Sequence, residues 1–453
     1  MRRIGIIGGG AAGIVAAIMA ARSNRQAQVF ILEQKEKIGR KLLATGNGRC
    51  NLTNRQIDGS CTASCYHGED IRFAGEVLER FGCEDTLRFF ESLGLVMKSR
   101  GDYVYPRSDQ ASTVIGLLNQ ELKRLGVEVF CSVKVLSAVW NGREFCIRAE
   151  ETLEDKTSKG RNKGQAVKKD RREFKADRLI LACGGKAAPA LGSDGSGYQL
   201  AKSFGHRIAP VVPALVQLKV KEHPFAKASG VRTDAQVTAL VDGVPAAVDT
   251  GEVQITAYGI SGIPVFQISR HIALGLYQKK RVEAVLDLLP EYTEDEVSLL
   301  LAKRAKRQPG LTIGGCLEGI FNQKLVPLIL GLAGMKMHTR LADADGHGIH
   351  KIAVQCKRIC LQIQDTNGFE NAQVCAGGVR TDEMDPGTME STRVKGLYIA
   401  GELLDVDGIC GGYNLQWAWA TGCIAGTASA AEDRKSCKGS DRYDIGNRTP
   451  IST

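Results

Sequence analysis

The chain has no Cys-x-x-Cys pair, no second Gly-x-Gly-x-x-Gly opening a strand–helix step, and no recognisable leader after Met1. Nor does any apolar run approach the roughly 18 residues of a membrane-spanning helix. Each absence excludes something. Fourteen cysteines are present, but the tightest spacings, Cys61-x3-Cys65 and Cys356-x3-Cys360, have few histidines nearby. That argues against a zinc site or a redox disulfide, so no metal is expected. The opening MRRIGIIGGGAAG carries arginines but no uninterrupted apolar region or cleavage site. The expectation is a soluble, cytoplasmic protein with reduced thiols and no membrane span. Gly192-Ser-Asp-Gly195-Ser-Gly197 is rich in glycine but follows no clear strand, so a dedicated nicotinamide domain is not expected.

What is present is length, glycine and an uneven charge. At 453 residues two or three domains are expected. The 52 glycines cluster, which suggests backbone held close to a ligand. The net charge of +10 is concentrated in residues 156–172, where eight Lys/Arg face the single acid Asp170. Such a run is either a nucleic-acid or membrane patch or, the reading preferred here, a solvated hairpin tip.

Residues 2–7 read as a buried strand, Ala11 to Ala21 as a helix of small and aliphatic residues, and QVFIL at 28–32 as a second strand ending at Glu33. This is one βαβ unit. Helices are expected over 72–94 and 111–125, then a three-stranded meander through 134–149 and 173–182. From about 196 short alternating strands suggest an inserted barrel, with KIAVQCKRICLQI as its last strand. Thr293-x-x-Glu296 reads as a capping box opening a helical insert. The expected class is α/β: a Rossmann-like domain interrupted by a β-barrel that carries a small helical insert. The expected boundaries are 1–195 and 366–433 for the first domain, 196–285 with 341–365 for the barrel, 286–340 for the insert, and 434–453 for a polar tail.

Gly8-x-Gly10-x-x-Gly13 lies between strand and helix, where its chemistry requires it. Gly8 permits the turn, Gly10 lets the backbone approach a pyrophosphate, and Gly13 lets helix and strand touch. Ala11 and Ala12 begin the helix whose N-terminus would face the phosphates. Glu33, twenty residues after Gly13, is placed for ribose hydroxyls, and an acid there disfavours a 2′-phosphate. FAD or NAD is implied rather than NADP.

The next segment separates those two. Arg40, Lys41, Thr45, Gly46, Asn47, Gly48, Arg49, Cys50 and Asn51 pack donors and cations into one loop, suited to a long, polar, planar ligand. Near the C-terminus Gly401, Glu402 and Asp405 follow a strand, where an acid would hold a ribityl chain. Gly412, Tyr413, Asn414, Leu415 and Gln416 open a helix whose dipole would stabilise an anionic reduced flavin. Gln34, Val135 and Ala182-Cys183-Gly184 complete the expected cofactor contacts. The cofactor expected is FAD.

Together Gly8–Gly13, ATGNGRCNLTN at 44–54, YGISG at 258–262 and AGELLDVDGICGGYNLQWAWATG at 400–422 resemble the BaiN/YhiN-type flavoproteins, in order over about 1–430. The resemblance implies an FAD domain interrupted by a barrel with a helical insert, and FAD-dependent oxidoreductase activity. One branch of that family reduces C=C bonds of 3-oxo bile-acid intermediates. The chain departs from the pattern at Thr256-Ala257-Tyr258, where many relatives carry Thr-His, and in the length of its basic run.

The leading expectation is therefore reduction of a carbonyl-conjugated C=C bond in a small molecule, with NAD(P)H entering the same cleft as the electron donor. Tyr105, Tyr258, Ser261 and Tyr413 are the candidate catalytic groups, with Arg107 nearby. An O₂-using oxidase of an amine or ketone and an RNA-linked flavoprotein are the alternatives.

Overall fold

The structure, a computed structural model, describes residues 1–57, 62–153 and 168–432. Its first body is built on a five-stranded sheet in the order Leu397–Ile399, Arg178–Leu181, Arg3–Ile7, Gln28–Leu32, Glu128–Phe130. Every pairing is parallel. Parallel strands covered on both faces read as continuous apolar runs, and Ile4, Ile6, Ile31, Leu179, Ile180 and Leu181 are all fully or almost fully buried. The central strand Arg3–Ile7 leads to Gly8, and the edge strand Leu397–Ile399 leads to Gly401. Two ends of the chain thereby open at the same edge of one sheet, the place where open α/β sheets bind ligands.

The helix Ala11–Ser23 covers this sheet, and the helix Tyr413–Ala430 lies across it. Their approach is very close. A Cβ built on Gly422 would lie 2.5 Å from the Ala12 carbonyl oxygen, and one on Gly426 would lie 2.3 Å from that of Ala16. Small residues let two helix backbones meet, so the small-residue texture of 413–430 is a docking surface.

As expected, an antiparallel meander (Val133–Trp140, Phe145–Leu153, Lys168–Ala176) follows. The legs of the basic hairpin are held by Lys169–Glu150 at 2.6 Å and Arg172–Glu151 at 3.0 Å. Its tip, like the tail after 432, lies outside the described residues. The helix expected over 72–94 is two, Ile71–Arg80 and Cys83–Ser92. The break falls at Phe81-Gly82, where the Gly82 N–H turns to the Asp85 carboxylate at 2.9 Å.

The second body has its own core. Six strands close a barrel in the order Leu218–Val220, Gly259–Gly262, Val244–Ile255, Arg232–Val241, Val282–Asp287, Ile359–Thr366. The helix Ile263–Tyr277 packs against it. The insert opens as expected: the Thr293 hydroxyl accepts from the Glu296 N–H at 3.2 Å and the Glu296 carboxylate accepts from the Thr293 N–H at 2.8 Å. The insert runs further than 340, however, because Gly346–Lys357 is a helix and the last barrel strand begins at Ile359. Ile349, Ile352, Ala353 and Cys356 are buried at helical spacing, and Asp345 caps the start by accepting from the Gly348 N–H at 2.7 Å. That period, not the alternation of KIAVQC, decides the element. Ser196–Ser203, expected in the barrel, is a helix whose Tyr198, Leu200 and Ala201 join the first core. The two crossings between the bodies run side by side, Val212–Ala214 pairing with Val374–Ala376.

Eleven described cysteines are free, while Cys65 is disulfide-bonded, which corrects the expectation of reduced thiols throughout. Among the described residues no helix is long and apolar enough to cross a membrane.

The interhelical contact makes a paired prediction. Gly426→Ala is expected to lower stability by about 1–3 kcal/mol through overpacking. Gly116→Ala, where a Cβ meets open space, should be neutral or stabilising by up to ~1 kcal/mol. Thermal denaturation of both variants checks this; equal behaviour would remove the close contact as a determinant.

Candidate functional site

The glycine turn has the conformation its sequence requires. Gly8 has φ of 108°, and a Cβ there would fall 2.3 Å from the Ala182 carbonyl oxygen. A Cβ on Gly13 would fall 1.9 Å from the Gly8 oxygen. Gly10 differs: nothing lies within 4 Å of its Cβ position. That glycine is required by no neighbour in the protein, and the open space sits at the N-terminus of Ala11–Ser23, where free N–H groups attract phosphate. Ala11 and Ala12 form the first helical residues beside it.

Glu33 directly follows the strand Gln28–Leu32 and is 9% exposed. Its carboxylate accepts from the Gly9 and Lys35 N–H groups, both at 2.7 Å. Burial pushes its carboxyl above the ordinary value, against those N–H groups and Lys35. The next side chain, Gln34, donates to the Gly192 carbonyl. Val135 is 8% exposed on the neighbouring meander, and Ala182, Cys183 and Gly184 close the strand end, Gly184 with φ of 71°.

The 39–54 segment is a knot of left-handed residues: Gly46, Asn47, Gly48 and Cys50 have φ of 56°, 54°, 80° and 59°. The Thr45 hydroxyl donates to the Leu42 carbonyl at 2.7 Å, and the Thr45 carbonyl accepts from the Cys50 N–H at 3.0 Å. Non-glycine residues in this region cost energy and concentrate where a loop must meet a ligand. Asn51 Oδ1 is buried with no hydrogen-bond partner, an acceptor that a ligand donor would satisfy. Arg40 pairs with Glu36 at 3.0 Å, Arg49 is exposed, and Lys41 reaches Glu402 at 2.6 Å. Glu402 also accepts from the Cys375 N–H at 2.9 Å, so this acid bridges the 39–54 loop and the C-terminal block.

That block is tied down from below. Trp419 donates to the Leu52 carbonyl at 2.9 Å and Trp417 to the Gly401 carbonyl at 3.2 Å, both indoles buried. Gln416 is fully buried, accepting from the Thr53 and Thr86 hydroxyls at 2.7 and 2.8 Å and donating to the Phe81 carbonyl at 3.0 Å. Its amide is thus engaged inside the protein. The Asn414 side chain brackets Gly408, accepting its N–H at 2.9 Å and donating to its carbonyl at 2.7 Å. Tyr413 is 2% exposed, its ring edge-on to Tyr66 at 5.7 Å, and Leu415 is partly buried. Asp405 accepts from the Glu69 N–H at 3.1 Å, and burial raises its carboxyl.

Sequence reasoning missed two participants. Asp407, 3% exposed, accepts from Arg270 on the barrel helix at 3.0 Å, and burial pushes its carboxyl up to about 7 against that guanidinium. Asp407 stood within a quoted motif; Arg270 had no local signal.

The remaining candidates lie on other elements. Tyr105 sits beside the Gly46 position, under the Arg100 guanidinium at 5.6 Å. Tyr258 is 41% exposed and its phenol oxygen accepts from Asn367 at 3.2 Å. That leaves the phenolic proton available to another acceptor. Ser261 is 8% exposed in the adjoining strand. Burial pushes the Cys50, Cys183, Cys375 and Cys410 thiols up to about 12. None is a thiolate at neutral pH, so these residues offer no sulfur nucleophile. The assembly can hold a dinucleotide: open space over a helix N-terminus, an acid for ribose, cations, and an unsatisfied amide oxygen.

Residues 2–428 match the family described as HI0933-like protein Rossmann domain. The chain is 57% identical over 430 residues to a protein of Clostridium scindens named 3-dehydro-bile acid delta(4,6)-reductase, covering 95% of this chain and 99% of that one. It is 28% identical over 418 residues to a Haemophilus influenzae protein named ribosomal RNA dihydrouridine synthase, covering 92% and 95%. An Escherichia coli protein of the same name is 26% identical over 416 residues, with the same coverage.

The glycines make separable predictions. Gly10→Ala should fold with unchanged melting temperature yet bind a dinucleotide at least about tenfold more weakly, roughly 1.4 kcal/mol. Gly8→Ala should fail to fold. Circular dichroism melts and ligand titration check both; normal binding by Gly10→Ala would remove the phosphate role of that turn.

Proposed function

The chain belongs to the HI0933-like Rossmann-domain family, and on that footing we propose that it is an FAD-dependent oxidoreductase that reduces a C=C bond conjugated to a carbonyl, as in a 3-oxo bile-acid or steroid enone. The near-full-length likeness to the Clostridium scindens reductase carries the reading. NAD(P)H is the proposed reductant, entering by the substrate's cleft.

FAD, when bound, supplies two-electron hydride chemistry at its N5. The chain's own part is to hold and orient. The open space at Gly10 takes the pyrophosphate, Glu33 the adenosine ribose, and Glu402 with Lys41 the polar middle of the cofactor. The N-terminus of the closing helix, at Gly412-Tyr413-Asn414, would stabilise negative charge on the reduced cofactor. In enone reduction the β-carbon gains a hydride and the α-carbon a proton, while a donor polarises the carbonyl. Tyr258 suits that donor role, because Asn367 occupies its oxygen as a donor and leaves the O–H proton free. Burial raises the Tyr105 phenol, which keeps its proton at neutral pH, and it is the second candidate.

The dihydrouridine synthases favour a second reading. Uracil also carries a C=C bond conjugated to a carbonyl, so the same site chemistry would serve an RNA base. The two readings differ in substrate, not in reaction type.

Anaerobic turnover with NADH or NADPH, offered a 3-oxo-4,6-diene bile acid, a 3-oxo-4-ene bile acid and uridine-containing RNA, tests the proposal. The expected product is the bile acid heavier by two hydrogens, the one delivered as a proton drawn from solvent and labelled in D₂O. Reduction of the RNA alone would move the substrate to the second reading. No reduction of any acceptor, with peroxide formed in air, would overturn the reductase reading in favour of an oxidase. Tyr258→Phe and Tyr105→Phe should each retain flavin and lose on the order of 10²-fold in turnover; unchanged turnover in both would remove the tyrosines.

A further inference from the structure

The segment 405–412 joins the C-terminal strand to the closing helix, and the barrel grips it from outside. Gln267 and Arg270, one turn apart on the barrel helix Ile263–Tyr277, share one helical face. The Gln267 side-chain oxygen accepts from the Cys410 N–H at 2.9 Å. The Arg270 Nε donates to both carboxylate oxygens of Asp407 at 3.0 Å. The pair is buried, with side-chain exposures of 16% for Arg270 and 3% for Asp407.

From the inside, the same segment is held by the first body. Asp407 and Gly408 pair with His67 and Tyr66 in a two-residue antiparallel ladder, and the Tyr66 hydroxyl donates to the Tyr413 carbonyl at 2.9 Å. The His271 ring meets His67 edge-on at 5.7 Å. Asp407 therefore faces Arg270 of the barrel, pairs with His67 of the first body, and feels the charges of the nearby acids Asp405 and Glu402. Burial holds the His67 imidazole down to about 4, with Arg270 and His271 adding to it, so the ring is neutral. Arg270 is the cation that meets Asp407.

A buried ion pair is weak support for stability, since desolvation offsets much of its attraction, but it fixes geometry. This one connects the barrel, which carries Tyr258 and Ser261, to the segment that sets the N-terminus of Tyr413–Ala430. We propose that Arg270 is a positioning residue: acting through Asp407, it locks the barrel to the flavin-side segment, so that the seating of the substrate-side body fixes where the closing helix meets the cofactor. The functional half of this rests on the FAD reductase reading; the mechanical half does not.

Hydrogen exchange of the full chain, with and without added FAD, tests the two halves separately in wild type, Arg270→Met, Arg270→Lys and Asp407→Asn. In Arg270→Met and Asp407→Asn, amides of 405–412 should exchange at least tenfold faster, with those of 3–7 unchanged. Arg270→Lys should recover part of the protection and supplies the readout if the Met variant does not fold. In flavin-loaded protein, Arg270→Met should shift the visible flavin spectrum and lower kcat about tenfold with KM little changed, and the Lys variant should restore part of both. Wild-type exchange in 405–412 of the variants would overturn the proposal. So would faster exchange with an unaltered spectrum and kcat, which would make Arg270 only a structural contact between bodies. A wild-type chain that binds no flavin would defeat the function reading instead, while the exchange comparison still decides the lock.

Discussion

The docking of the closing helix on the first helix is the contact on which the site depends. Gly422 and Gly426 allow the backbones of Tyr413–Ala430 and Ala11–Ser23 to touch at Ala12 and Ala16. Ala12 belongs to the glycine turn, and the two tryptophans on the same closing helix hold the carbonyls of Leu52 and Gly401. One helix therefore sets three separate segments, 8–13, 39–54 and 401–412, against each other. Large buried aromatics with a satisfied polar tip suit this task, because the ring fills volume while the indole N–H fixes orientation. A slip of the helix by one residue would misplace all three segments together.

The second feature is the treatment of charge. The acids at the site are held in three ways: Glu33 by backbone N–H groups, Glu402 by Lys41, and Asp407 by Arg270. Burial raises the carboxyls of Glu33 and Asp407, and their partners oppose that rise. Two of the three partners come from distant parts of the chain, so charge compensation and domain assembly are one event. The thiols of Cys50, Cys183, Cys375 and Cys410, by contrast, are protonated, and the redox chemistry falls to a cofactor rather than to sulfur.

Much of this architecture was legible because it rests on local rules. The Gly8–Gly13 turn, the strand–helix–strand unit around it, the capping box at Thr293 and the barrel's alternating strands all follow from residues close together in the chain. What was not legible depended on competing periods or on long range. Residues 351–356 satisfy both an alternating and a helical pattern, and only the wider spacing from Ile349 to Cys356 decides between them. The break at Phe81-Gly82 lies inside an otherwise continuous amphipathic pattern. Arg270 is separated from Asp407 by 137 positions, and nothing local marks an arginine on a barrel helix as a partner of a flavin-side acid. Gln416, placed by its sequence position among the cofactor contacts, makes three hydrogen bonds inside the protein, in a fold that brings 53, 81 and 86 beneath the closing helix.

The central claim is that the two ends of the chain, brought together by that helix pair, form one FAD cradle. The most direct measurement is identification of the chromophore released on denaturing the purified chain. The account predicts FAD in close to equimolar amount. FMN in its place, or a colourless chain that takes up no FAD on reconstitution, would contradict it.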